Sequence, residues 1–164
     1  MITGKVEKTW KTSHYKKLQY QLGNAGKPFE RIGASKKIME LYKNQAGAYI
    51  CTNVPDIFVN IASQFRLSKT VVALTKMKVG QILPWHVDRC KTYISKNHIK
   101  DKTKIARIIV FLEDSKPGHQ LWIEDKLCTG KAGSCFGWMF GTKHMAANLG
   151  MEDRYTLQIT GVRD

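Results

Sequence analysis

The sequence predicts an α+β, β-rich fold in which two N-terminal helices precede a run of short strands that closes into a two-sheet sandwich, jelly roll or barrel. Three observations predict it. Helical spacing of apolar residues is confined to the first 67 residues, seven short β-like runs crowd residues 70–162, and Gly, Asp, Lys or Pro separates the runs. At 164 residues, 43% of them hydrophobic, the chain is long enough for one compact domain with a real core.

Taken in order, residues 1–26 are polar and Lys-rich, and the Gly/Asn/Pro cluster LGNAGKP (22–28) reads as a turn, so this arm is expected at an edge of the fold. From Pro28 to about Asn44, Ile38, Leu41 and Tyr42 recur at i, i+3, i+4 with lysines between them, which predicts an amphipathic helix. A second helix is predicted over Pro55–Phe65, with Asn53 as its cap, Pro55 in its first turn, and Ile57, Phe58, Ile61 and Phe65 sharing a face. Both are expected to pack on the rest of the fold. The period then changes. TVVALTKMKV (70–79), ILPWHVD (82–88), KIARIIVFLED (104–114), HQLWIED (119–125), SCFGWMF (134–140), KHMAANL (143–149) and RYTLQITGV (154–162) are the seven predicted strands.

Charge is unevenly spread. Residues 1–104 hold 20 of the 27 Lys and Arg but 6 of the 13 Asp and Glu, so they carry +14, while residues 105–164, with seven of each sign, are neutral. Such asymmetry points to an anionic partner, or simply to a soluble Lys-rich surface. Cys51, Cys90, Cys128 and Cys135 have no CxxC spacing, which speaks against a zinc ribbon or a disulfide scaffold and leaves reduced, packing thiols. No run approaches the ~20 apolar residues of a membrane span, and MITGKVEKTWKTSHYKK has no apolar signal core, so a soluble, cytoplasmic protein without membrane contact is expected.

The stretch GQILPWHVDRC (80–90) carries the first candidate chemistry. In a strand, residues i and i+2 leave the same face, so His86 and Asp88 can aim an imidazole nitrogen and a carboxylate oxygen at one point. Five histidines and seven aspartates in 164 residues give roughly 0.2 chance His-x-Asp pairs, so the trio needs support from elsewhere. His144, in GTKHMAANLG, is the best third ligand for a 2-His-1-carboxylate site. His14, His98 and His119 read as solvated loop histidines. In the last run Arg154, Thr156, Gln158 and Thr160 alternate with Tyr155, Leu157 and Ile159, which puts a polar face where a core would be apolar. Either this is an edge strand with a wet face, or Arg154 is buried and needs a carboxylate partner.

The order His86-x-Asp88, His144, Arg154-x-Thr156 over a region of short strands resembles the 2-oxoglutarate and Fe(II)-dependent oxygenase family, over about residues 68–162. RIIVFLED and HMAANLGMEDRYTL look most similar to its prolyl hydroxylase-like and aspartyl/asparaginyl hydroxylase-like members, although no tyrosine matches the one some prolyl hydroxylases use for the cosubstrate. The resemblance implies a double-stranded β-helix, a cupin-like jelly roll. It implies one domain over 1–164, with 1–67 a basic arm and supporting helices and 68–164 the core. It implies Fe(II) on His86, Asp88 and His144, and 2-oxoglutarate on Arg154 and Thr156, with O2 as co-reactant. Arg107 is a further cosubstrate candidate or else an exposed strand-end arginine. Asn148, on the face of His144 and Ala146 in an extended run, is a candidate for lining the pocket or orienting a ligand.

The activity implied is hydroxylation of a C–H bond in a protein or peptide side chain, with succinate and CO2 as coproducts. Trp85, Phe136, Trp138 and Phe140 are core residues or substrate contacts. Segment 89–104, RCKTYISKNHIKDKTK, has six Lys or Arg and one Asp, and is expected as a rim or lid that draws in an anionic macromolecule, with Tyr93 and His98 available for stacking on bases. Three other readings stay open: nucleic-acid hydroxylation or demethylation, a non-enzymatic basic nucleic-acid-binding β-domain, and a cupin-like protein holding another metal.

Overall fold

In the computed structural model, residues 1–23, 29–30 and 32–163 are described; part of the expected turn at 22–28 and the start of the first expected helix lie outside them. The strands are β1 (Ile2–Lys5), β2 (Gln21–Leu22), β3 (Tyr49–Cys51), β4 (Ser68–Met77), β5 (Ile82–Val87), β6 (Ile105–Phe111), β7 (His119–Ile123), β8 (Lys126–Leu127), β9 (Ser134–Met139), β10 (Lys143–Asn148) and β11 (Arg154–Val162). The helices are α1 (Ser13–Lys16), α2 (Lys36–Leu41), α3 (Asp56–Ser63) and α4 (Lys91–Lys96). Among the described residues no helix is long and apolar enough to cross a membrane.

From β4 onward the chain alternates between two antiparallel sheets. The larger runs β1-β9-β6-β11-β4-β3-β2 and the smaller β5-β10-β7-β8. Sequence-distant strands thus become neighbours: β11 lies between β4 and β6, and β10 between β5 and β7. This is a double-stranded β-helix, and each predicted strand from 70 to 162 has its place in it. The first 67 residues do more than flank it. They add β1 at one edge of the large sheet and β2 and β3 at the other.

Alternation along the large sheet divides its residues between two environments. Leu74, Ile108, Val110, Leu157 and Ile159 point outward and are buried by Phe58, Ile61 and Ala62 of α3 and by Trp10 and Tyr15 of the N-terminal arm. Each such aliphatic side chain contributes about 1.5–3 kcal/mol. The arm is pinned by polar contacts too, since Trp10 Nε1 donates to the Leu112 carbonyl at 2.9 Å and Tyr15 donates through its hydroxyl to Glu113 Oε1 at 2.9 Å. Inward, Ile109, Phe111 and Trp138 meet Leu121, Ile123 and Cys128 of the small-sheet side and close one end of the space between the sheets. At Gly118, with φ at +85°, a side chain would strike the Gly150 backbone at 2.3 Å, so glycine lets the turn before β7 press against the β10–β11 connection.

Several sequence expectations are corrected. The helix expected over 28–44 is the six-residue α2, capped by Ser35, whose side chain accepts from Ile38 N. Its apolar residues do not pack: Ile38 is 45% and Leu41 70% exposed. Helix α3 starts at Pro55 as N-cap, without a side-chain cap from Asn53. The last strand is no edge strand, because β11 is central in the large sheet. His119 is not a solvated loop residue; it opens β7, is buried, and its ring contacts the Glu152 carbonyl through Nε2 at 3.0 Å.

Candidate metal centre

β5 is an edge strand of the small sheet, which accommodates Pro84, a residue with no N–H to give to a ladder. His86 sits directly opposite His144 of β10, so the antiparallel register brings together two histidines 58 residues apart. The pairing then slips between His144 and Ala146, a local irregularity of the kind that re-aims side chains beside functional sites. Asp88 follows β5 by one residue. Its carboxylate oxygens lie 3.7 Å from His86 Nε2 and 3.4 Å from His144 Nε2.

The donor atoms of His86, Asp88 and His144 all lie within 4.8 Å of one another. Metal–ligand bonds are roughly 2.0–2.2 Å, so two of them reach across about 4 Å and span both histidine–carboxylate separations. The tautomers suit this as well. His86 Nδ1 is 2.7 Å from the Pro84 carbonyl and His144 Nδ1 is 3.0 Å from the Thr142 carbonyl. A carbonyl only accepts, so each Nδ1 carries the hydrogen and each Nε2 offers its lone pair to the centre. Burial pushes His144 down to about 4, which keeps its ring neutral and ligand-ready at neutral pH. Trp138 stacks on it with ring centroids 4.2 Å apart and fixes its tilt.

The three side chains open on a cavity of about 600 Å³ between the sheets, whose wall also carries Arg107, Arg154, Thr156 and Gln158. Arg154 is buried, its Nη1 reaching only the Met77 sulfur at 3.6 Å and its guanidinium lying 5.4 Å over the Phe111 ring. Its Nη2 is buried and has no hydrogen-bond partner among the described residues. Burial lowers this arginine to about 10, so it remains a cation at neutral pH. A buried charge without a counter-charge costs several kcal/mol, and an anion entering the cavity would offset it. Thr156 stands beside it on the same face, its hydroxyl 2.5 Å from that of Thr75.

Arg107 is not an exposed strand-end residue. It projects into the cavity from β6 and places Nη1 2.9 Å from Asp88 Oδ2, so it holds the carboxylate, while its Nε is buried without an acceptor among the described residues. Asn148 is a correction. Its amide donates to the Met77 and Glu152 carbonyls at 2.9 and 2.8 Å and its oxygen accepts from Gly150 N at 3.1 Å, so its polar atoms tie down the β10–β11 connection and do not face the cavity. Segment 89–104 folds as α4 and a short 3-10 turn. Arg89 and Thr92 reach the cavity wall, whereas the Tyr93 hydroxyl donates to the Lys69 carbonyl at 2.9 Å and ties the segment to β4. The carbonyls of Pro84 and Thr142 and the Met77 sulfur are contacts of His86, His144 and Arg154 that side-chain patterns in the sequence do not signal.

No family model and no curated protein matches the chain. Solved structures do. A prolyl-4-hydroxylase of Pseudomonas putida is similar over 88% of this chain and 92% of its own, with a TM-score of 0.56 at 16% identity. A predicted oxalate decarboxylase of Thermotoga maritima matches over 71% and 81%, with a TM-score of 0.45 at 14% identity. An RmlC-like cupin protein of Desulfovibrio desulfuricans matches over 56% and 71%, with a TM-score of 0.39 at 18% identity. The likeness to the Pseudomonas putida structure is one of fold, the double-stranded β-helix described above.

Proposed function

We propose that the protein is an Fe(II)- and 2-oxoglutarate-dependent dioxygenase that hydroxylates a C–H bond of a protein or peptide side chain and releases succinate and CO2. The observation that carries this reading is the pairing, within one cavity, of the His86/Asp88/His144 donor set with a buried Arg154 whose Nη2 has no partner among the described residues. Two imidazoles and one carboxylate suit a non-haem ferrous ion and would leave positions open on it. A dicarboxylate that reaches Arg154 with one end can present its other end to the metal. The likeness of the fold to the Pseudomonas putida prolyl-4-hydroxylase supports the same reading.

In this reading each residue has a defined task. His86 and His144 present Nε2, held in that tautomer by the Pro84 and Thr142 carbonyls. Asp88 supplies the anionic ligand, and Arg107 steadies its Oδ2. Arg154 would hold the far carboxylate of the cosubstrate through a charge-assisted contact, with the Thr156 hydroxyl beside it. Leu83, Ile109 and Leu121 wall the cavity and keep water from the centre. Bound iron and the 2-oxo acid supply the oxidising power, with one oxygen atom of O2 going to the substrate and the other to succinate.

The test is succinate release by the purified protein with Fe(II), 2-oxoglutarate and oxygen. Slow release is expected even without substrate, and His86→Ala and His144→Ala should abolish it while circular dichroism stays unchanged. Folded wild-type protein that neither releases succinate nor binds the cosubstrate would sink the reading.

A further inference from the structure

Beside the metal centre the protein carries positive charge that neither the metal ligands nor the cosubstrate would neutralise. Arg89 follows Asp88 directly, is exposed, lines the cavity, and has no acidic partner among the described residues. Arg107 spends one nitrogen on Asp88 and leaves Nε buried without an acceptor among the described residues. Among the described residues the cavity wall carries three guanidinium groups, on Arg89, Arg107 and Arg154, against a single carboxylate, that of Asp88.

The surrounding segment does not supply the missing anions. Between residues 89 and 104 the single acidic residue is Asp101, and its carboxylate is taken up by the Thr103 N–H and hydroxyl at 2.9 and 2.5 Å. None of Lys91, Lys96, Lys100, Lys102 and Lys104 forms a salt bridge among the described residues. At Cys90 the chain turns with φ at +47° before entering α4, and this reversal sets Arg89 and Thr92 at the cavity.

We infer that the mouth of the metal cavity selects a peptide with a carboxylate side chain next to the residue that is oxidised, and that Arg89 is the specificity-determining contact. This rests on the metal-and-cosubstrate reading above. A guanidinium meets a carboxylate through two parallel N–H bonds and fixes direction as well as charge. A nucleic-acid strand fits the rim less well. Binding single strands combines a cationic track with free aromatic faces, and here Tyr93 is tied to Lys69, Trp138 lies buried against His144, and Phe140 is covered by Lys102. Trp85 is exposed, but it alternates with His86 along β5 and so leaves the opposite face.

The experiment is fluorescence anisotropy in the presence of Mn(II) and 2-oxoglutarate. The probes are a labelled Glu-containing peptide, the same peptide with Gln for Glu, and a labelled thymidine 12-mer. Three proteins are compared: wild type, Arg89→Gln, and Lys126→Gln as a charge control on β8. The wild type should bind the Glu peptide on the order of tenfold more tightly than the Gln peptide, as one charge-assisted contact warrants. Arg89→Gln should erase that preference and Lys126→Gln should keep it. Equal binding of both peptides, loss of preference in both variants, or tighter binding of the 12-mer that depends on Arg89 would each overturn the inference. His86→Ala separates it from the parent reading: that variant should lose the thermal shift with Mn(II) yet still prefer the Glu peptide, and wild-type protein with the preference but no metal shift would leave Arg89's role standing while the oxygenase reading fell.

Discussion

The two faces of β11 are equally shut off from bulk water and built on opposite principles. Tyr155, Leu157 and Ile159 enter the core beneath α3 and the N-terminal arm, and Leu157 and Ile159 are 0% exposed. Arg154 and Thr156, one residue out of step, are nearly as buried but face the cavity, and Arg154 has no carboxylate partner among the described residues. The outward face is where burial stabilises the fold. The inward face gives up stability to bury a cation, and that contrast separates the face that folds this protein from the face on which the proposed ligand binding rests.

Substitutions on the two faces should therefore act in opposite directions. Leu157→Ala on the core face should lower unfolding free energy by about 3–4 kcal/mol in urea titrations, since a fully packed leucine leaves a cavity behind. Arg154→Met on the cavity face should raise the stability of the metal-free protein by about 1–3 kcal/mol, because an unpaired buried charge is exchanged for apolar packing. The same variant should no longer be stabilised by 2-oxoglutarate. If Arg154→Met destabilised the protein as Leu157→Ala does, the guanidinium would have an internal partner after all.

A pH series sharpens the same comparison. Burial holds His144, at about 4, and His119 below the ordinary histidine value of 6.5. The unfolded chain therefore takes up protons at these two positions that the folded chain refuses once pH drops below 6.5, so metal-free stability should fall between pH 6.5 and 4. Urea midpoints measured from pH 8 down to pH 4.5 check the sign. The smallest effect belongs to the exposed helix. Leu41→Ser on α2 should shift stability by no more than about 0.5 kcal/mol in the same titration.

The contrast also explains what could be read from the sequence. Seven strands from 70 to 162 were legible because burial on one or both faces writes itself as alternation or as β-branched runs. Strands β1, β2, β3 and β8 span two to four residues, mostly exposed, and exist because a neighbouring strand offers hydrogen bonds, which no local pattern records. The spacing of Ile38, Leu41 and Tyr42 did mark a helix but could not supply a partner for its apolar side. The order of His86, Asp88, His144 and Arg154 was legible because these side chains have few uses at such spacing. Arg107's grip on Asp88 was not, since it depends on β6 and the end of β5 facing one cavity, and Asn148 was misread because extended alternation ignores carbonyls at the strand end.

The most direct test of the account is a thermal melt of wild type and Arg154→Met with Mn(II) alone, 2-oxoglutarate alone, and both. Wild type should be stabilised by Mn(II) and further by 2-oxoglutarate only when the metal is present, whereas Arg154→Met should keep the Mn(II) shift and lose the increment. A 2-oxoglutarate increment of unchanged size in Arg154→Met, or no Mn(II) shift in wild type, would contradict it.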